Sequence, residues 1–408
     1  MSKLMDLCFN ITDGEHGTVI DDPKGNFFLL SNKNIVNGKV NIDPKLDRRI
    51  NESTFNKINK RTKIETNDVL ISTVGTIGKT SIVEKSVNFA VQRSVGIIKT
   101  NHQKLNPYYL KYQLMTSEFQ NRLKLLSKGA VQKCLFIEDL KNMEVLCPSI
   151  ETQNKVAHTL KILEDKISNN NKINAELESL AKTIYDYWFL QFEFPNEEGK
   201  PYKSSGGKIV WNEDLKREIP EGWKTATLDK VISVSNERIS SKEIGDRLYV
   251  PIECIPRKQM SFYETADIEK AATGLCPFDE NSILISNRRV YFHKVSITPF
   301  KGVTRDTVII VNPLDKNNLG YVFQLLFSDH FISIATLNSY GTEQPVFSPT
   351  SFSQYRITIP NNSLDIEYSK KVKPIINRIL ENQRENKKLS SLRDFLLPML
   401  MNGQVQFK

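Results

Sequence analysis

The sequence has little that would build a membrane anchor, a disulfide framework or a metal site. It contains no run of about eighteen apolar residues, and its N-terminus lacks a basic segment followed by an apolar one, so we expect neither a membrane span nor a signal peptide. The five cysteines are odd in number, widely spaced and without a C-x-x-C pair, and the five histidines are scattered. These absences predict a cytoplasmic protein with reduced thiols and no bound metal.

The sequence also lacks a complete catalytic motif. Gly78-Lys79-Thr80 ends like a phosphate-binding loop, but Thr73 stands where that pattern needs glycine. Asn106-Pro107-Tyr108-Tyr109 resembles the Asn-Pro-Pro-aromatic loop of amino-methyltransferases without its second proline, and no glycine-rich cofactor loop precedes it. We expect Pro107 to begin a helix instead. No acidic pair with a lysine indicates a nuclease, and no nucleophile triad is evident, so a non-catalytic chain without a cofactor of its own is predicted.

An internal repeat is the most informative feature that is present. Residues 129–188 recur at 341–400 with a constant shift of 212, with ten identities in sixty positions and a better match in residue type and spacing. The repeat continues upstream with small insertions, because Asn67–Ser72 aligns with Glu280–Ser286. A duplicated chain predicts a target with two parts.

Each half begins with short apolar runs rich in β-forming residues, and a helical stretch follows them. These elements predict two mixed α/β (α+β) globules. The matched strands are Phe27–Leu30, Val69–Ser72 and Val95–Ile98 in the first half and Leu248–Ile252, Ile283–Ser286 and Val308–Val311 in the second, and the matched helical stretches are Pro107–Leu125 and Leu319–Leu337.

Each globule is followed by a long helix in which seam residues recur in steps of four and three, the spacing of a coiled coil. Asparagines occupy the same two seam positions in both helices, where burial would cost stability and fix the register. We therefore predict that the two helices pair with each other. Pro374 should start or kink the second helix, and Pro398 should end or kink it. The predicted pairing residues are Leu160, Leu163, Ile167, Asn170, Asn174, Leu177 and Ile184 in the first helix and Val372, Ile375, Ile379, Asn382, Asn386, Leu389 and Leu396 in the second.

The positive charge is unevenly distributed along the chain. Residues 1–150 carry 22 Lys and Arg against 15 Asp and Glu, whereas residues 224–360 carry 15 against 14. Such an imbalance fits a nucleic-acid binder whose halves face different sequences, although ordinary solubility charge is an alternative explanation. Lys and Arg contact phosphates, and Arg can also grip a guanine edge. The candidate DNA-binding residues are Arg48, Arg49, Lys57, Lys60, Arg61, Lys79, Arg93 and Gln132 in the first half and Arg257, Lys258, Arg288, Arg289, Lys294, Arg305 and Gln344 in the second.

Several further motifs are informative in combination: Asp13-Gly14-Glu15-His16-Gly17-Thr18, Ser72–Lys79, Gly129-Ala130-Val131-Gln132 leading to Cys147-Pro148, Gly341-Thr342-Glu343-Gln344 leading to Ile359-Pro360, Tyr185–Phe189 and Phe194–Tyr202. Together they resemble the motifs of the specificity subunits of Type I restriction-modification systems, and the resemblance covers essentially the whole length. The departure is in the second half, which has Arg288-Arg289 at about the place of the Gly75 and Gly78 turn.

The resemblance implies two target recognition domains, each reading one half of a bipartite site in double-stranded DNA, related by a pseudo-two-fold repeat. The two helices would pack as an antiparallel coiled coil that sets the spacer and docks two methyltransferase subunits, with two restriction subunits added. S-adenosylmethionine, ATP and Mg²⁺ would then belong to those partners. The predicted division is 1–150 for target recognition domain 1, 151–192 for spacer helix 1, 193–223 for a polar connector, 224–360 for target recognition domain 2 and 361–408 for spacer helix 2.

Two other interpretations stay open at this point. One is an enzyme, either a stand-alone DNA methyltransferase or a fused restriction-modification polypeptide. The other is a coiled-coil scaffold that binds only proteins. Salt-dependent DNA binding would distinguish the scaffold from a DNA reader, because phosphate contacts release counterions.

Overall fold

A computed structural model describes residues 1–36, 38–84, 87–129, 133–271, 274–361 and 363–405. The chain divides into two compact units. The first unit consists of Met1–Asp165 together with Ser391–Lys408, and the second of Lys166–Ser390. Each long helix therefore contributes to both units, a division that differs from the domain boundaries proposed from the sequence, which stay a prediction.

The first unit is a mixed α/β globule. Of the first long helix, α5, only the part up to Asp165 belongs to this unit. Its helices are α1 (Glu52–Thr62), α2 (Pro107–Met115), α3 (Ser117–Leu126), α4 (Ile137–Lys141) and α5 (Ile150–Tyr185). Its strands are β1 (Ser2–Lys3), β2 (Cys8–Asp13), β3 (Phe27–Leu30), β4 (Ile35–Val36), β5 (Lys39–Val40), β6 (Arg48–Ile50), β7 (Val69–Ser72), β8 (Thr80–Ile82), β9 (Phe89–Val91), β10 (Val95–Thr100) and β11 (Glu144–Val145).

A six-stranded sheet with the order β2-β10-β7-β8-β5-β4 forms the centre of the first unit. Strand β7 is buried along its whole length, which explains why it reads as a continuous apolar run and does not alternate. Helix α2 begins at the predicted place, because the Asn106 side chain accepts hydrogen bonds from the backbone N–H groups of Tyr108 and Tyr109 and Pro107 occupies the first turn. The Gly78-Lys79-Thr80 segment lies in the β7–β8 hairpin and not between a strand and a helix, so it is no phosphate-binding loop.

The second unit repeats this arrangement. Its helices are the remainder of α5, α6 (Leu319–Phe327), α7 (Asp329–Leu337) and most of α8 (Leu364–Met401). Its strands are β12 (Ile209–Asn212), β13 (Arg217–Pro220), β14 (Lys224–Thr227), β15 (Ile232–Val234), β16 (Leu248–Tyr249), β17 (Cys276–Phe278), β18 (Ile283–Ser286), β19 (Val295–Ile297), β20 (Gly302–Thr304), β21 (Val308–Pro313) and β22 (Arg356–Ile359).

The strand order shows the duplication directly. The sheet order β2-β10-β7-β8 of the first unit recurs as β15-β21-β18-β19 in the second. A parallel pair also recurs, β3 with β9 and β16 with β20, as does the antiparallel pair β1 with β11 and β14 with β22. The predicted strands and the internal repeat are thereby confirmed, except that the strand predicted over Leu248–Ile252 spans only Leu248–Tyr249. Each predicted helical stretch is two helices, because extended Thr116 and Ser328 interrupt them and cap the second helix of each pair.

Within the second unit, α5 and α8 pair in antiparallel orientation. Asn170 Nδ2 donates to Asn386 Oδ1 at 3.0 Å, and Asn382 Nδ2 donates to Asn174 Oδ1 at 2.7 Å. Residue numbers rise along one helix and fall along the other, which confirms the predicted antiparallel pair. Helix α8 begins ten residues before Pro374 and continues past Pro398, so neither proline starts or ends the helix, and the alternative of a kink at each proline stays a prediction.

The predicted pairing residues all lie away from open solvent. In the first unit, Leu160 and Leu396 pack in the core beside Leu397 and Leu400 of α8. Leu160, Ile167, Asn170, Asn174, Val372, Ile379, Asn382 and Asn386 are buried, and Leu163, Leu177, Ile184, Ile375, Leu389 and Leu396 are half-buried.

The polar connector contains folded structure. Strands β12 and β13 form a hairpin within it. The rings of Phe194 and Trp223 stack with centroids 5.5 Å apart, and both side chains are buried in the core of the second unit. Composition alone predicted a linker because these aromatic residues are few among many polar ones. Along the described residues, no helix is long and apolar enough to cross a membrane.

Candidate nucleic-acid interface

In the first unit, four loops meet beyond the ends of β7 and β10. The backbone N–H of Thr73 donates to Ser94 O at 2.9 Å, and the N–H of Leu135 donates to Thr73 O at 2.8 Å. The N–H of Gly75 donates to Lys133 O at 3.1 Å. These bonds tie the β7–β8 turn to two neighbouring loops. We call this group loop cluster 1, consisting of residues 13–17, 73–79, 92–94, 128–129 and 133–135.

Further hydrogen bonds connect the remaining loop of loop cluster 1. The backbone N–H of Arg93 donates to Glu15 O at 3.0 Å. The Arg61 guanidinium group donates to Gly14 O and lies 3.6 Å from the Asp13 carboxylate. The segment that begins at Asp13 is therefore held against the β9–β10 turn by backbone and side-chain bonds together.

The second unit has a corresponding group of loops. The backbone N–H of Asn287 donates to Thr307 O at 3.0 Å, and the N–H of Phe347 donates to Asn287 O at 2.9 Å. The N–H of Arg289 donates to Pro345 O at 2.8 Å. We call this group loop cluster 2, consisting of residues 287–294, 305–307 and 340–347.

The backbone hydrogen bonds that join the β7–β8 turn to its two neighbouring loops recur in loop cluster 2, whereas the bonds of residues 13–17 have no counterpart there. Thr73 and Asn287 each bridge two loops, donating to one and accepting from the other. The antiparallel bridge between Lys128 and Cys134 recurs between Tyr340 and Val346, at the repeat shift of 212. The repeat therefore extends into the loops, where the sequence alignment had small insertions.

The glycine turn that the second half lacks in sequence is present in its backbone. Gly75 and Gly78 have φ angles of +74° and +88° in loop cluster 1. Arg289 and His293 take their places in loop cluster 2 with φ angles of +46° and +54°. A left-handed backbone costs a residue with a Cβ about 1–2 kcal/mol, so the second unit retains the turn at an energetic cost.

The exposed side chains of the two loop clusters differ. Loop cluster 1 exposes Lys79, Arg93, Lys128 and Lys133. Loop cluster 2 exposes the charged residues Arg288, Asp306 and Glu343 and half-exposes Arg305. Guanidinium and ammonium groups in these positions can contact phosphates and base edges, whereas Asp306 cannot bind a phosphate.

An arginine–aromatic stack adjoins loop cluster 2. The Arg257 guanidinium carbon lies 3.8 Å from the ring centroid of Phe292. The backbone N–H of Lys258 donates to His293 O at 2.9 Å, which fixes this segment to the turn. The stack restricts the exposed Arg257 side chain, so less conformational entropy is lost if it binds a ligand.

The predicted DNA-binding residues fall into several environments. Lys57 and Lys60 are exposed on α1, outside both loop clusters. Gln132 lies outside the described residues. The exposed members of the set are Lys57, Lys60, Arg61, Lys79, Arg93, Arg257, Lys258, Arg288 and Gln344, and the half-buried members are Arg48, Arg49, Arg289, Lys294 and Arg305.

Among the predicted residues that bond within the protein, Arg48, Arg49 and Lys294 are half-buried and lie outside the exposed set, and we assign these three a structural role. Arg48 Nε lies 2.7 Å from Asp21 Oδ1. Arg49 donates to Gly25 O at 3.2 Å, and its guanidinium carbon lies 5.2 Å from the ring centroid of Phe28. Lys294 Nζ donates to a backbone carbonyl at 2.7 Å, and burial lowers the pKa of this lysine.

The residues that sequence reasoning missed include Asp306, Lys128 and Lys133. An acidic side chain was not sought among cations, and the two lysines are separated from the basic stretches in the sequence. They are identified by comparing equivalent positions in the two loop clusters. In the part of the chain that the structure describes, no three His, Cys, Asp or Glu side chains are grouped to hold a metal ion.

Comparison with known proteins agrees with this geometry. The family model of the Type I restriction modification DNA specificity domain matches residues 19–179 and again 220–390. The MjaIX specificity subunit of Methanocaldococcus jannaschii is 26% identical over 310 residues, which cover 73% of this chain and 69% of that protein. The HindI specificity subunit of Haemophilus influenzae is 22% identical over 379 residues, covering 78% and 82%.

A solved structure shares the fold. The S subunit of a Type I restriction-modification system from M. genitalium superposes with a TM-score of 0.58 at 16% identity, covering 98% of this chain and 95% of that one. The family model matches well over half of the chain, once in each half. The chain therefore belongs to the Type I restriction-modification DNA specificity family and carries its domain twice.

Proposed function

We propose that this chain reads the DNA target of a Type I restriction-modification complex, with each loop cluster reading one half of a bipartite site. The observation that carries the proposal is the pair of loop clusters, which share their backbone hydrogen bonds and expose unlike side chains. A common backbone presents side chains at corresponding depths, and different side chains select different bases. Two half-sites of unlike sequence are what such a pair would recognise.

The partners follow from the family and from the repeat. The chain would bind double-stranded DNA, two methyltransferase subunits and two restriction subunits, and would not itself catalyse methyl transfer or cleavage. S-adenosylmethionine, ATP and Mg²⁺ would be bound by the partners. Leu180 of α5 and Leu392 of α8 support two equivalent docking surfaces, because they occupy the same repeat position and are 48% and 45% exposed. Two copies of one partner require two such surfaces.

The helix pair would set the spacer between the half-sites. Helix α5 has 36 residues, which corresponds to a length of roughly 54 Å. Half-site separation mirrors the geometry of the protein that reads it, so helix length would determine spacer length.

The function is tested by mapping methylated bases in a host genome. The chain is expressed with the methyltransferase subunit of its own system, and a matched strain lacks only this chain. We expect one bipartite motif that disappears without the chain. Methyl transfer to DNA by the purified chain alone would support the enzyme interpretation instead, and a complex without salt-dependent DNA affinity would support the scaffold.

The spacer is tested by inserting seven residues into both helices at the boundary of the two compact units. The paired sites are Asp165–Lys166 in α5 and Ser390–Ser391 in α8. A heptad adds about 10 Å, so we expect the spacer to lengthen by about three base pairs at ~3.4 Å each while both half-sites stay the same. A motif with the original spacer would contradict the proposal that helix length measures the site. The control inserts seven residues into the connector, which should leave the spacer unchanged.

A further inference from the structure

We propose that Arg93 and Asp306 occupy the same base-reading position in the two loop clusters, and that Arg93 selects guanine where Asp306 selects cytosine. The inference rests on the proposed function, because it names residues that give each half-site its sequence. The matched strands Val95–Ile98 and Val308–Val311 place Arg93 and Asp306 two residues before equivalent positions, although the two residues carry opposite charges. The hydrogen bonds around them establish that the two positions are equivalent in the structure as well.

Matching bonds fix the residues next to Arg93 and Asp306. Thr73 N–H donates to the carbonyl of Ser94, which follows Arg93, and Asn287 N–H donates to the carbonyl of Thr307, which follows Asp306. The two distances are 2.9 Å and 3.0 Å. Each residue therefore sits one position before the same anchor.

The carbonyl groups of the two residues are themselves anchored alike. Thr73 Oγ1 donates to Arg93 O at 3.2 Å, and Asn287 Nδ2 donates to Asp306 O at 2.7 Å. Although hydroxyl and amide differ chemically, they supply the same hydrogen bond at the same place. The backbone at the two positions is thereby held in the same relation to the β7–β8 turn and the β18–β19 turn.

A third bond closes the turn on the other side. The backbone N–H of Val95 donates to Gln92 O at 3.0 Å, and the N–H of Val308 donates to Arg305 O at 3.0 Å. Gln92 and Arg305 thus precede the two residues in equivalent turns. Three independent pairs of bonds give the same alignment, with Arg93 opposite Asp306.

The side chains of Arg93 and Asp306 are available for a ligand. Both residues are exposed. Across the residues that the structure describes, neither side chain makes a hydrogen bond or an ion pair. Their backbones are ordered by the bonds above, while their side chains are not used by the fold, which is the arrangement expected of a reading position.

The opposite charges of Arg93 and Asp306 indicate that side chains at this position contact bases and not phosphates. A phosphate repels a carboxylate, so Asp306 at a DNA surface can bind only donors. The amino donors of the major groove are cytosine N4 and adenine N6, and adenine N6 lies beside the N7 acceptor, which repels a carboxylate, so cytosine is favoured. The equivalent backbone places the Arg93 side chain in reach of the same base layer, where arginine pairs with guanine O6 and N7. Arg305, beside Asp306, remains able to contact the backbone of the DNA.

The test uses the complex of this chain with its methyltransferase subunits. The two half-sites are first identified from the genome-wide methylation motif, and duplexes are then made with each base pair of each half-site varied singly. Methylation rates are compared for wild type, R93Q and D306N. Arg93→Gln should shift one position of one half-site from guanine to adenine, because glutamine pairs with adenine N6 and N7. Asp306→Asn should shift one position of the other half-site from cytosine to adenine.

The expected change in preference is roughly 5- to 150-fold at the one position and none at the others. Each variant is its own folding control, since the half-site read by the untouched loop cluster should keep its base preferences. K24Q serves as the matched control, because Lys24 is an exposed cation of the first unit outside loop cluster 1 and outside the predicted DNA-binding set, and it should change no base preference.

Several results would overturn the inference. An R93Q complex that methylates every duplex more slowly by the same factor, with a shallower salt dependence, would make Arg93 a phosphate contact. Unaltered preferences in both variants would remove both residues from the reading surface. Absence of any bipartite motif with the wild-type chain is a different result, because it would contradict the proposed function itself.

Discussion

Loop cluster 1 and loop cluster 2 hold the same backbone hydrogen bonds around different side chains. Thr73 and Asn287 perform the same bridging task, whereas Arg93 and Asp306 beside their anchors carry opposite charges. The comparison separates two kinds of position. Residues that bond to the backbone of a neighbouring loop maintain the framework, and residues that expose unbonded side chains are free to differ between the halves.

A second comparison concerns two carboxylates of helix α5. Glu164, in the first unit, lies 2.6 Å from Lys111 Nζ and accepts a hydrogen bond from the Tyr112 hydroxyl at 2.9 Å. Glu178, in the second unit, accepts one hydrogen bond from the backbone N–H of Met260 at 2.8 Å. The same helix is thus anchored by a buried ion pair in one unit and by a lone carboxyl group in the other. The two anchors should respond differently to substitution and to pH.

The largest effect is expected where the buried ion pair is broken. Lys111 is 3% and Glu164 13% exposed, so Lys111→Met leaves a buried carboxylate without its cation and should cost roughly 3–5 kcal/mol of unfolding free energy. Far-UV circular dichroism during chemical denaturation measures the loss. Tryptophan fluorescence reports separately on the second unit, because Trp188, Trp211 and Trp223 all lie there.

The matched control is Lys161→Met, which removes a lysine that pairs with another carboxylate of α5. Lys161 Nζ lies 2.6 Å from Asp165 Oδ2, but the two side chains are 35% and 56% exposed. An exposed pair four residues apart contributes only about 0.3–0.5 kcal/mol. Equal losses in the two variants would mean that the buried pair does not anchor α5.

Glu178 should make the stability of the second unit depend on pH in the direction opposite to an ordinary ion-paired carboxylate. Burial raises the pKa of Glu178 to about 7 from 4.5, although the Met260 hydrogen bond lowers it. Between these values the folded state binds a proton that the unfolded state does not, so stability falls as pH rises from about 4.5 to 7 and is level above. The loss is on the order of 3 kcal/mol.

Fluorescence-detected denaturation of wild type and E178Q at pH 5.5 and pH 8 measures this dependence. Glutamine keeps an acceptor for Met260 and cannot ionise, so E178Q should lose most of the difference and be more stable than wild type at pH 8. E176Q changes an exposed residue of the same helix and should retain the wild-type slope. A slope shared by all three proteins would assign the pH dependence to other groups.

The buried asparagines allow a test of whether their hydrogen bonds stabilise the helix pair or only fix its register. Asn382→Leu leaves the Asn174 carbonyl oxygen without the donor that lies 2.7 Å away, which should cost about 1–3 kcal/mol. The double variant N174L N382L removes both polar groups and should recover most of that cost, because leucines pack without a desolvation penalty. A double variant less stable than both single variants would show that the amide pair is favourable in itself.

The same elements separate the features that a sequence predicts from those that it does not. Strand β7, the helix start at Pro107 and the paired seam asparagines were all predicted, because apolar periodicity and a proline in the first helical turn are local signals. The connector was predicted to be a linker, yet Trp223 stacks on Phe194 in the core of the second unit. That contact depends on which surface the connector meets, and composition does not contain this information.

The candidate site shows the same limit. Arg49 reads as an exposed cation in the sequence, but three-dimensional packing turns it toward Gly25 O and the ring of Phe28. Arg289 reads as the loss of a glycine turn, although the bond to Pro345 O holds its backbone in the left-handed region. In both cases, contacts with residues distant in the sequence determine the conformation of the arginine against its local preference. The sequence pattern therefore identifies the candidate DNA-binding surface but not the individual residues that belong to it.

The smallest predicted effect tests whether the two turns are equivalent. Gly75→Ala places a Cβ at φ +74° and 3.2 Å from Asn32 Nδ2, and should cost the first unit about 1–2 kcal/mol. Arg289→Gly relieves the corresponding strain at φ +46° but loses the 3.3 Å hydrogen bond to Glu343 O and frees the unfolded chain, so its net effect should lie within about 1 kcal/mol of zero. Chemical denaturation detected by circular dichroism and fluorescence separates the two units.

If R289G costs more than G75A, the arginine side chain holds the turn and the framework of loop cluster 2 depends on a residue that loop cluster 1 does without. If G75A is the costlier change, the shared backbone bonds determine both turns, and the side chain of Arg289 can vary without loss of the loop that presents its neighbours.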